Sequence, residues 1–221
     1  MKWLIIKDFK VLKLMNLWMI FMGMLFGFIG TTSIFPFGSN MVYGYGIFIM
    51  IYMFLMFSLQ IEEKSKSYIM INSLPANKKD IVTARYISTI IYLLSSVIFI
   101  LLISNISIGL FDISIITNSL SLFGILFIIA ICLIFVSMYL PFQYYYMSKS
   151  QIFNALFYAL LILLPNLINR YASKIKDIKW INYLGAINFQ SFTFIILIIG
   201  VILYLISLSI SQKIYNAKEF Y

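Results

Sequence analysis

Forty-eight consecutive residues, from Leu14 to Ile61, carry no charged side chain. Four more such runs follow: 26 residues between Arg85 and Asp112, 36 between Asp112 and Lys149, 20 between Lys149 and Arg170, and 33 between Lys179 and Lys213. A soluble globular chain is roughly one quarter charged, because charge must face the water. Here 10% of 221 residues are charged and 63% are hydrophobic, too little charge to coat a soluble surface. A helix needs about 20 apolar residues to cross the hydrocarbon of a bilayer. The first run therefore holds two spans, divided at Thr31–Asn40, where Pro36, Gly38 and Ser39 supply a turn. Each remaining run holds one. The sequence thus predicts an all-α integral membrane protein, one domain over residues 1–221, with six transmembrane helices near 14–35, 42–60, 86–108, 117–140, 152–169 and 188–212.

Lys and Arg in the short connections set orientation. Twelve of them fall on one side, in the N-terminal segment, the second loop (Arg85 included), the fourth loop and the tail; four (Arg170, Lys174, Lys176 and Lys179) fall on the other, in the fifth loop. Both termini are expected in the cytoplasm, and no cleavable signal is expected. Ile-, Lys- and Asn-rich usage suits an AT-rich bacterial genome, so the expected location is the bacterial cytoplasmic membrane. The basic balance of +9 is accounted for by orientation before any nucleic acid need be invoked. Residues 1–13 are expected as an interfacial helix, with Lys2, Lys7, Lys10 and Lys13 along one arc and Leu4, Ile5, Phe9, Val11 and Leu12 opposite.

Several chemistries are excluded. The chain has no His and one Cys, Cys132, which removes Ser-His-Asp and Cys-His catalysis and His-containing metal sites. There is no Gly-rich phosphate loop ending in Lys-Ser or Lys-Thr. No Asp, Glu, Lys or Arg falls inside an expected span, so a proton relay is not expected. The chain is read as no enzyme, with no cofactor of its own; uphill work would need a partner.

Four stretches have features beyond hydrophobicity. Ile61–Ser88 runs from Glu62, Glu63, Lys64 and Lys66 through an imperfect amphipathic stretch containing Tyr68 to Leu74 and the break at Pro75. Asn77 then caps a new helix, with Asp80 favouring its N-terminal end and Arg85 lying on the way into the third span. This helix–break–helix is either a handle for a cytoplasmic partner or a solvated loop. Asn154, Tyr158, Asn166 and Asn169 lie on or near one face of the fifth helix, lining a route or bonding neighbouring helices. Gly23-x-x-x-Gly27 with Gly30 forms a flat strip, suited to intramolecular packing before dimerisation. The run Met50–Phe57 is an adaptable apolar surface or a lipid-facing one.

Ile6-Lys7-Asp8, the run from Glu62-Glu63-Lys64 to Ser73-Leu74-Pro75, Lys79-Asp80-Ile81-Val82, Leu140-Pro141 with Tyr144–Tyr146, and the ending from Ile214-Tyr215 to Lys218-Glu219-Phe220 resemble the small permease subunits of bacterial type-2 ABC exporters. Members similar to this chain include permeases that export amphipathic peptide toxins, such as phenol-soluble modulins, or confer resistance to antimicrobial peptides. The resemblance implies a cytoplasmic coupling helix between spans 2 and 3, docked in a separate ABC ATPase that binds ATP and Mg. It also implies a second permease chain, identical or related, with the pathway at the interface between the two. On that basis Glu62, Glu63, Lys64, Lys66, Tyr68, Leu74, Pro75 and Asn77 are the expected coupling residues. Met50, Phe54, Asn154 and Tyr158 are expected along the substrate pathway. The rival expectation is a non-transporting membrane sensor or immunity protein that binds a peptide.

Overall fold

The computed structural model describes residues 2–11, 13–32, 36–64, 77–111, 121–146, 155 and 189–217. Among them there is no strand, and six helices follow in order: α1 Lys2–Val11, α2 Lys13–Thr32, α3 Pro36–Lys64, α4 Lys78–Phe111, α5 Leu122–Tyr145 and α6 Phe189–Ala217. Four segments among these residues are long and apolar enough to cross a membrane: Asn40–Glu62, Lys78–Gly109, Leu122–Tyr145 and Phe189–Ala217. They correspond to the expected second, third, fourth and sixth spans. The apolar stretch Asn16–Thr31 in α2 is shorter, about 24 Å at 1.5 Å per residue against a hydrocarbon thickness of about 30 Å. The span expected over 152–169 lies outside the described residues.

Helix boundaries follow from local chemistry. α3 starts at Pro36, earlier than expected, because proline's fixed φ suits a first helical position. α4 begins after Asn77, whose carbonyl accepts from the amides of Asp80 (2.9 Å) and Ile81 (3.3 Å), so the expected start at Asn77 is where the helix begins. α4 has 34 residues, about 51 Å of rise, and outruns the hydrocarbon. α5 starts later than the expected 117, because Ser121 caps it: its hydroxyl accepts from the Gly124 amide at 3.0 Å. At its other end α5 runs through Pro141 to Tyr145, past the expected end at 140.

Ring contacts fix the relative directions of the helices. Phe123–Phe194 and Phe127–Phe189, with centroids 6.1 and 5.8 Å apart, join the starts of α5 and α6. Tyr144–Tyr215, at 5.5 Å, joins their ends. α5 and α6 are therefore parallel, and the chain that leaves one end of the bundle after Tyr146 re-enters at the other before Phe189.

The glycine strip of α2 is used inside the chain. A Cβ on Gly23 would meet the Phe99 ring, one on Gly27 the Ile103 side chain, and one on Gly30 the Tyr43 ring. α2 thus lies antiparallel to α3 and parallel to α4, with the glycines admitting both. The core between α3, α4 and α5 is rich in large side chains, with Tyr43, Tyr52, Phe54, Tyr86, Tyr92 and Tyr139 fully buried.

α6 reverses the pattern of a water-soluble helix. Its buried face is Thr193, Gly200, Tyr204, Ser207, Ser211 and Tyr215. Its exposed face is Ile195, Ile198, Ile199, Ile202, Leu205, Ile206 and Ile210. In lipid the polar groups must turn inward to find partners, while the apolar surface is already solvated.

Candidate functional site

The end of the bundle where α3 finishes and α4 begins gathers the buried charge of the described residues. α1 packs there, with Leu4 buried against Ala84 and Ile81 of α4. The Asn16 amide donates to the Phe9 carbonyl at 3.4 Å, satisfying one of the last carbonyls of α1. This places Asp8 beside α4. Arg85, two turns into α4, spreads its guanidinium over three partners: Nη2 lies 2.5 Å from Glu62 Oε2, Nη1 lies 3.4 Å from Asp8 Oδ1, and Nη1 also donates to the Ser58 hydroxyl. Lys7 completes the group, 2.6 Å from Glu62 Oε1 and 3.6 Å from Asp8. Exposure is 6% for the side chains of Arg85 and Asp8 and 14% for Glu62. Two carboxylates and two cations make a formally neutral cluster across α1, α3 and α4.

Such a group adds little net stability, because desolvation offsets the attraction, but removing one partner strands the rest. What it fixes is register. The planar fork of Arg85 can hold two carboxylates at defined positions, which a lysine cannot.

A second polar group lies one residue along α4. Ser207 Oγ donates to the Ser137 carbonyl at 2.7 Å. That carbonyl is four residues before Pro141 and so receives no helical N–H. Ser207 has one hydrogen, already committed, so at its 2.7 Å contact with the Tyr86 hydroxyl it accepts; Tyr86 then accepts from Ser211, also at 2.7 Å. The Tyr204 hydroxyl donates to the Tyr86 carbonyl at 2.7 Å. The chain Ser211, Tyr86, Ser207, Ser137 binds α4, α5 and α6 together and explains why α5 continues through its proline.

The expected site residues fall in different places. Glu62 is not a free surface charge: both its oxygens face cations of its own chain. Asn77 stands exposed at the start of α4. Glu63 and Lys64 belong to the last turn of α3; Lys66, Tyr68, Leu74 and Pro75, and likewise Asn154 and Tyr158, lie outside the described residues. Met50 and Phe54 are buried in the core, Phe54 stacked on Tyr92 with centroids 4.1 Å apart. The cavity beside Met50, lined also by Trp18, Met19, Met22 and Met53, measures about 10 Å³, room for a water molecule at most.

Two expectations are corrected. The lysine arc of the N-terminal helix does not all face outward: Lys7 turns in to Glu62, Asp8 is buried, and Trp3 and Ile6 are exposed alongside Lys10. Arg85, counted with the charges of the second loop and expected on the helix leading into the third span, is helical as expected but buried rather than exposed at the cytoplasmic face. Sequence reasoning also missed the Tyr86 network. A usable signal was present, since Tyr204, Ser207 and Ser211 recur at helical spacing on an otherwise aliphatic helix.

Among the described residues no group of His, Cys, Asp or Glu could hold a metal ion. Apolar helices with polar groups turned inward, and a charged end tied to a short N-terminal helix, define an integral membrane protein. The family described as ABC-2 family transporter protein matches residues 3–216, and the chain belongs to that family. It is thus a membrane permease subunit of an ABC transporter, a machine whose ATPase is a partner. No curated protein and no solved structure matches it.

Proposed function

We propose that this chain is the permease half of an ATP-driven exporter in the bacterial cytoplasmic membrane, moving amphipathic peptides or other hydrophobic molecules outward. The family match along 3–216 carries the reading. The chain has no phosphate-binding loop, so ATP and Mg belong to a separate ATPase. Six spans with both termini in the cytoplasm are part of the proposal, and the parallel course of α5 and α6 supports an additional crossing between them. A second permease chain, identical or related, completes the pathway.

In this reading the ATPase grips the segment between α3 and α4. Glu62 is held inside the chain, so the docking contacts fall to Glu63, Lys64, Lys66, Tyr68, Leu74 and Pro75, with Asn77 opening the helix that receives the motion. Asn154 and Tyr158 border the route, and Met50 and Phe54 serve packing in the state described. A route without fixed charge favours substrates with apolar and aromatic surface.

The test is purification in mild detergent with identification of what accompanies the chain. An ABC ATPase in stoichiometric amount is expected, and it should be lost when Tyr68 and Leu74 are both changed to Asp. A chain that purifies without any ATPase from its native membrane contradicts the proposal and favours the sensor reading.

A further inference from the structure

We propose that Arg85 is a positioning residue: it joins α1 to the facing ends of α3 and α4, so that the N-terminal helix and the docking segment move as one piece. The inference deepens the exporter reading and rests on it for its functional arm. Three observations carry it. Arg85 contacts side chains from two other helices at once, Asp8 on α1 and both Glu62 and Ser58 on α3. These bonds are the polar part of the seat of α1, whose apolar part is Leu4 on Ala84 and the Phe9 ring against Phe54 of α3 and Tyr92 of α4. Glu62 and Arg85 sit either side of the segment between α3 and α4, on which an ATPase would pull.

The cluster is built to transmit rather than to bend. A pull on the α3–α4 connection displaces Glu62 and Arg85, and each is bonded to α1, through Lys7 and Asp8 respectively. Letting α1 lag would strand buried carboxylates away from their cations, which is more costly than moving the helix with them. The apolar, aromatic outer face of α1, with Trp3 and Ile6, then carries the movement to the membrane surface.

The experiment compares the chain with its Asp8→Asn, Glu62→Gln, Arg85→Gln triple variant. The triple variant removes the guanidinium and both carboxylates that face it; the one charge it leaves, on Lys7, is 24% exposed and can turn to the water. Arg85→Lys is the conservative variant. Spin labels at Lys10→Cys on α1 and Lys79→Cys on α4, both exposed positions, are measured in lipid nanodiscs in a Cys132→Ala background. One narrow distance distribution is expected for the native cluster, a broad one for the triple variant, and an intermediate one for Arg85→Lys, which keeps the charge without the fork. A triple variant as narrow as the native chain overturns the inference, whether or not an ATPase is ever found.

The second arm uses vesicles holding the chain with its co-purified ATPase and a dye-labelled amphipathic helical peptide. Peptide moved per ATP hydrolysed is expected to fall about tenfold in the triple variant. A purely structural role lowers the amount of assembled transporter and leaves that ratio unchanged, which overturns the inference. A native complex that hydrolyses ATP without moving peptide refutes the substrate reading instead, and the distance arm still decides the joint.

Discussion

Removing the Ser207 hydroxyl should cost far more with Pro141 in place than without it. Pro141 deprives the Ser137 carbonyl of its helical donor, and Ser207 supplies the replacement at 2.7 Å. Ser207→Ala therefore leaves the buried Ser137 carbonyl without a donor and costs the Tyr86 hydroxyl one of its two contacts, the one to Ser211 remaining. An unsatisfied buried group costs about 1–3 kcal/mol in proteins generally, while interhelical hydrogen bonds in membranes average about 0.6 and reach about 1.7 kcal/mol. Taking both ranges, the single substitution should cost about 1.5–2 kcal/mol. In a Pro141→Ala background the new backbone N–H reaches the Ser137 carbonyl, and only the Tyr86 contact remains to be lost. Ser207→Ala should then cost about 0.5 kcal/mol. The coupling is thus about 1 kcal/mol or more, above the roughly 0.3–0.5 kcal/mol scatter of independent sites. SDS-induced unfolding in mixed micelles, followed by far-ultraviolet circular dichroism, reads all four corners of the cycle. Equal costs in both backgrounds would refute the claim that Ser207 replaces the missing donor.

Two further outcomes follow from packing and burial. Gly30→Ala drives a Cβ into the Tyr43 ring and should destabilise by about 1–3 kcal/mol. Gly109→Ala meets nothing within 4 Å and should stabilise by about 0.5–1 kcal/mol through helix propensity, both read in the same micelle assay. On α6, Ile198→Asp tests which medium the exposed face meets. The exposed Ile198 position faces lipid and should lower membrane insertion, an Asp near mid-membrane costing about 3 kcal/mol on insertion scales; equal insertion of the native and Ile198→Asp chains in a glycosylation-mapping assay would place that face in water.

Much of the helical frame was legible because charge is so costly in hydrocarbon that its absence marks a span directly. The run from Arg85 to Asp112 became α4, and Asn77 was read as its start from capping chemistry alone. The strip Gly23, Gly27 and Gly30 was legible for the same kind of reason, since only close approach makes three small residues useful there. The expected end at 140 fell short because a charge-free run does not say whether a helix can pass Pro141; that depends on a donor 70 residues away in sequence, and Ser207 supplies it.

The charged cluster was illegible for a different reason. Arg85 is the last charge before a long apolar run and looks like a cytoplasmic flank, while Lys7, Asp8 and Glu62 look like flanks of other spans. Nothing local says that these four meet. Their pairing is decided by how α1, α3 and α4 pack, and α1 owes its place to Leu4 on Ala84 as much as to charge. Met50 and Phe54 show the same ambiguity in apolar form: composition alone does not separate a pathway wall from a core, and their burial, with Phe54 stacked on Tyr92, came only from the packing of α3 on α4.

ATP-dependent accumulation of a labelled amphipathic peptide in inside-out vesicles is the direct measure of whether this permease is driven by a bound partner. Vesicles with the chain and its ATPase should accumulate peptide only when ATP and Mg are supplied outside, and vesicles with the chain alone should accumulate none. Accumulation by the chain alone, without nucleotide, would contradict the account.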